Sequence, residues 1–273
     1  MAVPAGRTTW ALAASLVLPL ALGACAGDDD PSSVAGPVAG GDLPAPRQRL
    51  PADAPPQVSP ESGPAAPETV KAADPYADPR SLTVVVNKHR PLQPVEYIPE
   101  PLALPNVALG VDHGRAMLRT EVAAAAESMF ATALEEGVGL VLVSGYRSFA
   151  DQEATYAHWV AAYGGDTVRA DAVSARPGFS EHQTGLVFDI AQNDGTCTLS
   201  DCFANTAAAR WVADKGAQHG FIVRYPAGSE DVTGFSAESW HVRYVGVETA
   251  QQMKAQDIPT LEEYFGLTAA PGY

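Results

Sequence analysis

The chain has 273 residues, enough for one large domain or two small ones, with a formal net charge of -15 and a pI near 4.7. That acidity, with no basic run anywhere, excludes electrostatic binding to nucleic acid and to anionic lipid or polymer surfaces. Any attachment to a membrane must come from something other than charge.

Residues 1–25 supply such an attachment. A short leader carries Arg7, and an apolar run over 10–22 has Pro19 near its end. This run falls short of the about 20 apolar residues that span a bilayer, so it reads as the core of a signal peptide. It closes on Leu22-Gly23-Ala24-Cys25, which looks like the lipobox of bacterial lipoproteins. The expectation is lipidation of Cys25, cleavage before it, and anchoring by several acyl chains. Residues 26–80 are dominated by Pro, Ala, Gly, Asp and Ser and nearly lack aromatics. Such a segment cannot bury enough apolar surface to offset its chain entropy, and a disordered tether is predicted.

A strand-like run over 81–87 opens the folded part, and a Pro-punctuated arm follows over 92–111. Residues 119–136 are Ala-rich, with Val122, Met129, Ala133 and Leu134 predicted on one helical face. Residues 140–143 form a short buried strand. It delivers Ser144-Gly145-Tyr146-Arg147-Ser148 at its end, with Gly145 allowing a tight turn and Arg147 emerging at the edge. A helix over 151–163 carries Gln152 on its first turn, and 164–179 reads as a loop.

The chemistry is concentrated in residues 180–190 and 238–241. Leu186-Val187-Phe188-Asp189-Ile190 is an apolar run broken by one carboxylate, the pattern of a buried strand. An Asp among such neighbours is costly unless paired or bound to metal. His182 lies an odd number of residues away, on the opposite face of a straight strand, and Thr184-Gly185 offers the bend that would bring both together. A second strand over 240–245 would put His241, Arg243 and Val245 on one face, with Glu238 just before it. Hydrolytic zinc is typically held by three N or O ligands with a fourth position open. His182, Asp189 and His241 meet that need, and Glu238 is left over as a base. From spacing alone, a metal site and a set of hydrogen-bonded core residues stand level. His89, His113, His158 and His219 have no second ligand at useful spacing and read as surface or structural.

Export implies an oxidising compartment, so Cys197 and Cys202 are expected to form a disulfide that pins a loop beside the cleft. Further along come a helix over 207–220 with Trp211, Val212 and Ala217 on its apolar side, a strand over 221–226, a polar loop over 228–235, and helices over 247–256 and 261–265. The predicted class is α+β, a small mixed or antiparallel sheet flanked by helices over 81–273.

Three ordered motifs resemble the VanY-type zinc D-Ala-D-Ala carboxypeptidases of the LAS group, over roughly residues 82–265. Ser180, His182, Gly185 and Asp189 match Ser-x-His-x-x-Gly followed by Asp. Glu238, Trp240, His241, Arg243 and Tyr244 match Glu-x-Trp-His-x-Arg-Tyr. Ser144 to Ser148 and Gln152 match Ser-Gly-Tyr-Arg-Ser followed by Gln. The resemblance implies a LAS, hedgehog/DD-peptidase-like fold and Zn2+ on His182, Asp189 and His241. By the same resemblance Glu238 is the general base and Arg147 stabilises the oxyanion. It also implies that Gln152, Ser180, Tyr225 and Trp240 contact substrate.

The implied partner is a peptidoglycan stem peptide, cut by a monomer anchored to the envelope outside the cytoplasm. L,D-carboxypeptidases and peptidoglycan endopeptidases share these motifs. A reading from another class, a non-catalytic zinc-stabilised wall-binding module, gives Glu238 no chemical task.

Overall fold

The computed structural model describes residues 74–273. The expected leader, Cys25 and the tether up to residue 73 lie outside the described residues. The folded part starts before the expected residue 81. Tyr76 stacks on Phe265 with ring centroids 4.2 Å apart, and Asp74 pairs with Arg90 at 2.7 Å.

A small ribbon pairs β1 (Leu102–Ala103) with β2 (Leu118–Arg119). The main sheet contains β3 (Leu140–Ser144), β4 (Val187–Gln192), β5 (Phe221–Tyr225) and β6 (Glu238–Tyr244), in the order β3-β4-β6-β5 with every pairing antiparallel. The helices are α1 (Thr120–Glu135), α2 (Phe149–Ala162), α3 (Thr167–Val173), α4 (Ala207–Lys215), α5 (Glu230–Thr233), α6 (Val247–Ala255) and α7 (Leu261–Tyr264). This is the predicted α+β class, with a purely antiparallel main sheet.

Strand alternation divides the sheet into two faces. Leu142, Phe188, Ile190 and Val242 are buried in one core with Val122, Ala126, Met129 and Ala133 of α1. Asp189 and His241, between those apolar residues in sequence, point the other way. Leu134 does not join the α1 face and stays exposed, because it is rotated about 100° from Ala133 around the helix axis.

Three local expectations are corrected. Residues 81–87 form no regular strand. The backbone N–H of Val85 donates to the carbonyl of Tyr76, and the carbonyls of Leu82 and Val84 accept from Arg243, so this backbone is satisfied by a side chain instead of a ladder. The predicted loop over 164–179 contains α3, capped at its start by Asp166. Gly145 serves close approach more than a turn, since a Cβ there would lie 2.8 Å from the carbonyl of Met117.

On the same face of the sheet as Asp189 and His241 lies a charge cluster whose side chains have no solvent exposure. Glu181 Oε1 accepts from Arg224 Nε at 3.0 Å and Arg243 Nη1 at 2.8 Å. Arg224 also donates twice to Glu262, at 2.9 and 2.7 Å, and Asn87 adds a third donor to that carboxylate. Two arginines and two glutamates balance, which is the condition for burying them. Glu262→Ala leaves Arg224 short of its bidentate partner. It should lower the unfolding free energy by about 3–5 kcal/mol in urea titrations.

Candidate metal centre and cleft

The antiparallel register of β4 and β6 sets Asp189 opposite His241. His182 arrives from a 3-10 turn over Glu181–Thr184, closed by Gly185 at φ +68°. That left-handed residue is the bend expected between His182 and Asp189, and it needs no side chain. One ligand atom from each of His182, Asp189 and His241 lies within 4.8 Å of the others. His182 Nε2 is 3.4 Å from Asp189 Oδ2, and His241 Nδ1 is 3.1 Å from Asp189 Oδ1. Neighbouring ligands on a tetrahedral zinc with bonds of about 2.0–2.2 Å stand roughly 3.3 Å apart.

The donor set therefore fits zinc. A second observation agrees: Asp189 Oδ1 is buried and makes no hydrogen bond despite its short distance to His241, as if both atoms aim at a shared point rather than at each other. His182 is oriented from behind, its Nδ1 donating to the carbonyl of Gly145 at 2.7 Å. A carbonyl can only accept, so this bond places the proton on Nδ1 and frees Nε2 for a ligand bond.

The centre opens into a cleft of about 570 Å³, a volume suited to the end of a peptide. Arg147, Ser180, Tyr225, Glu238 and Trp240 line it. Glu238 Oε2 lies 3.5 Å from His241 Nδ1. Burial pushes its carboxyl up to about 7, aided by Asp189, against the pull of His241 and Arg147. Asp189 behaves oppositely: burial would raise it, but His182 and His241 outweigh that and hold it below the usual carboxylate range. For His241, burial alone would depress the imidazolium. The carboxylates of Asp189, Glu181 and Glu238 prevail and raise it to about 9, so metal binding must displace a proton. The ring of Tyr225 sits 4.9 Å from that of His241.

Gln152 also lines the cleft. It is fully buried: its Oε1 accepts from Arg147 Nη1 at 2.9 Å, and its Nε2 donates to the carbonyl of Ala175 at 2.6 Å and to Ser174 Oγ at 3.3 Å. Both amide protons are spent inside the protein, and Gln152 braces Arg147 from the wall of the cleft. Cys197 and Cys202 form a disulfide, and Leu199 and Asp201 of that loop reach the cleft. His219 bonds Ser128, away from the centre.

Sequence reading missed Arg115, which also lines the cleft, and Glu181 with its arginines. The latter had a signal: Arg224 and Arg243 each interrupt an apolar strand, and a buried charge demands a partner.

The family model described as VanY, D-alanyl-D-alanine carboxypeptidase, matches residues 115–247. The YodJ protein of Bacillus subtilis is 39% identical over 190 residues, covering 69% of this chain and 68% of the relative. The chain belongs to the VanY family. Among solved structures, the LdcB LD-carboxypeptidase is 38% identical with a TM-score of 0.64, over 70% of this chain and 88% of that one. A VanY D,D-pentapeptidase from a VanB-type resistance cassette, in complex with Zn(II), is 30% identical with a TM-score of 0.57, over 68% and 98% respectively. The His-Asp-His centre of this VanY-family chain is thus a zinc site by its donors and by its relatives.

Gln152→Ala removes the acceptor facing Arg147, whose Nε already lacks a buried partner. A loss of about 1–3 kcal/mol in stability is expected from the unsatisfied guanidinium, read as a lowered denaturation midpoint.

Proposed function

We propose that this chain is a zinc-dependent carboxypeptidase that removes the C-terminal D-Ala from peptidoglycan stem peptides ending in D-Ala-D-Ala. The observation that carries the reading is Glu238, a half-buried carboxyl that lines the cleft beside the His182, Asp189 and His241 cluster. A purely structural metal site would have no task for it.

Zinc on those three residues supplies a Lewis acid and a water of lowered pKa. Glu238 takes a proton from the attacking water and returns it to the leaving amine as the peptide C–N bond breaks. One water is consumed, and free D-Ala and the shortened peptide are released. Arg147, held by Gln152 within reach of the cleft, carries fixed positive charge toward the oxyanion that develops on the scissile carbonyl. Ser180, Tyr225 and Trp240 form the walls against which the substrate's last residues rest.

A second reading, removal of D-Ala from tetrapeptide stems, is supported by the likeness to the LdcB LD-carboxypeptidase. The same proposal puts the domain outside the cytoplasm, tethered through lipidated Cys25. The Leu22-Gly23-Ala24-Cys25 motif and the Cys197–Cys202 disulfide support export.

Incubation with penta- and tetrapeptide stems, followed by mass analysis, tests the reading. Loss of one D-Ala from the pentapeptide, abolished by chelation and restored by zinc, is expected. Cleavage of the tetrapeptide alone would favour the second reading, and cleavage of neither would overturn both. Glu238→Ala should keep one zinc per chain while turnover falls by roughly 10²–10⁴-fold.

The pH dependence has a definite sign. Glu238 is a base only when ionised, and its raised pKa of about 7 means that acid removes the active form. A bound cation favours the carboxylate and moves that limb lower. kcat/KM should therefore fall toward acid, with a limb at or below about 7. A rate that climbs as pH drops through this range would contradict the assignment.

A further inference from the structure

The two histidines of the centre present opposite nitrogens to the shared point. His182 offers Nε2 and has Nδ1 fixed by the carbonyl of Gly145. His241 offers Nδ1, which faces Asp189, and so its Nε2 must point elsewhere. It points at Glu181. His241 Nε2 and Glu181 Oε2 lie 3.9 Å apart, and both are buried atoms without a hydrogen-bond partner. The other oxygen of Glu181 is held by Arg224 and Arg243 at 3.0 and 2.8 Å, so the carboxylate is clamped at one end and aimed at the imidazole with the other.

We propose that Glu181 is a positioning residue of the metal centre: its Oε2 accepts the Nε2 proton of His241, fixing the tautomer that leaves Nδ1 free for zinc. Among the described residues, no acceptor lies within hydrogen-bond distance of that nitrogen. Two orphaned buried polar atoms that face one another are each costly alone, and a shift of under about 1 Å brings them to hydrogen-bond distance. A carboxylate behind a ligating imidazole also raises its basicity toward the metal, and loss of such a partner typically costs about 10–100-fold in metal affinity. Through Arg243 and Arg224, the ligand is connected to the carbonyls of Leu82 and Val84 and to Glu262 of α7. The orientation of His241 thus rests on segments remote in sequence from either motif.

The inference rests on zinc binding at His182, Asp189 and His241, and its test separates the two. In the zinc-loaded full chain, 15N-resolved spectra of the histidine rings should show His241 protonated on Nε2 and bonded through Nδ1. The Nε2 proton should be shifted downfield and exchange slowly, as expected for a bond to a carboxylate. Glu181→Gln should move that proton upfield and weaken zinc binding by about 10–100-fold in a chelator competition. A purely structural Glu181 would lower the melting temperature but leave both readouts where they were, which would overturn the proposal. A variant that fails to fold does not blunt the test, because a wild-type His241 protonated on Nδ1, or with a rapidly exchanging Nε2 proton, would overturn it as well. Failure of the wild type to bind zinc at all would instead sink the metal site itself.

Discussion

The antiparallel register between β4 and β6 is the constraint from which the centre follows. It sets Asp189 opposite His241 and, on the other face, Phe188 opposite Val242 in the core. A slip of one residue would turn Asp189 into that apolar core and Phe188 into the cleft. The cost of burying the carboxylate and exposing the ring therefore holds the register, and the register holds the ligands. β3 then pairs with β4 through a bulge between Leu142 and Ser144. Its end brings the carbonyl of Gly145 behind His182 and sends Arg147 toward the same cleft.

Two buried charge systems meet at residues 181 and 182. In the first, Glu181 and Glu262 are neutralised by Arg224 and Arg243 with all charges paired. In the second, Asp189 and Glu238 share a cleft with the imidazoles of His182 and His241 and the guanidiniums of Arg115 and Arg147. Burial acts on both of these carboxyls alike, but only Asp189 has two histidines at close range, so it is held low while Glu238 is pushed up to about 7. Environments that separate the affinities of two neighbouring acids assign them different work, one as ligand and one as proton carrier. In the proposed mechanism that separation divides the metal ligand from the base.

Arg147 shows how a cation lining the cleft is kept in place without a hydrogen-bonded acid of its own. Its acceptor is the neutral Oε1 of Gln152, whose amide is in turn fixed by Ala175 and Ser174 beyond α3. A carboxylate there would neutralise the guanidinium. The neutral amide orients it and leaves its charge available.

Much of this was legible in the amino-acid order. The ligands His182, Asp189 and His241, the spare Glu238 and the pair Cys197 and Cys202 stand out because each is a polar group in a place where its own segment gives it no partner. The helices α1, α2 and α4 follow from local apolar spacing and capping. What no local pattern could decide was where distant groups meet. Residues 81–87 have strand composition but give their carbonyls to Arg243, more than 150 positions away. Gln152 carries a family motif, yet spends its amide on Arg147 and a loop over twenty residues distant. Glu181 looks like a solvent-facing acid beside a ligand, and only the packed sheet buries it between two arginines and behind His241. Side-chain chemistry declares which groups need partners, whereas the partners are chosen by chain geometry in three dimensions, because hydrogen bonds and ion pairs act over a few ångströms of space and not along the sequence.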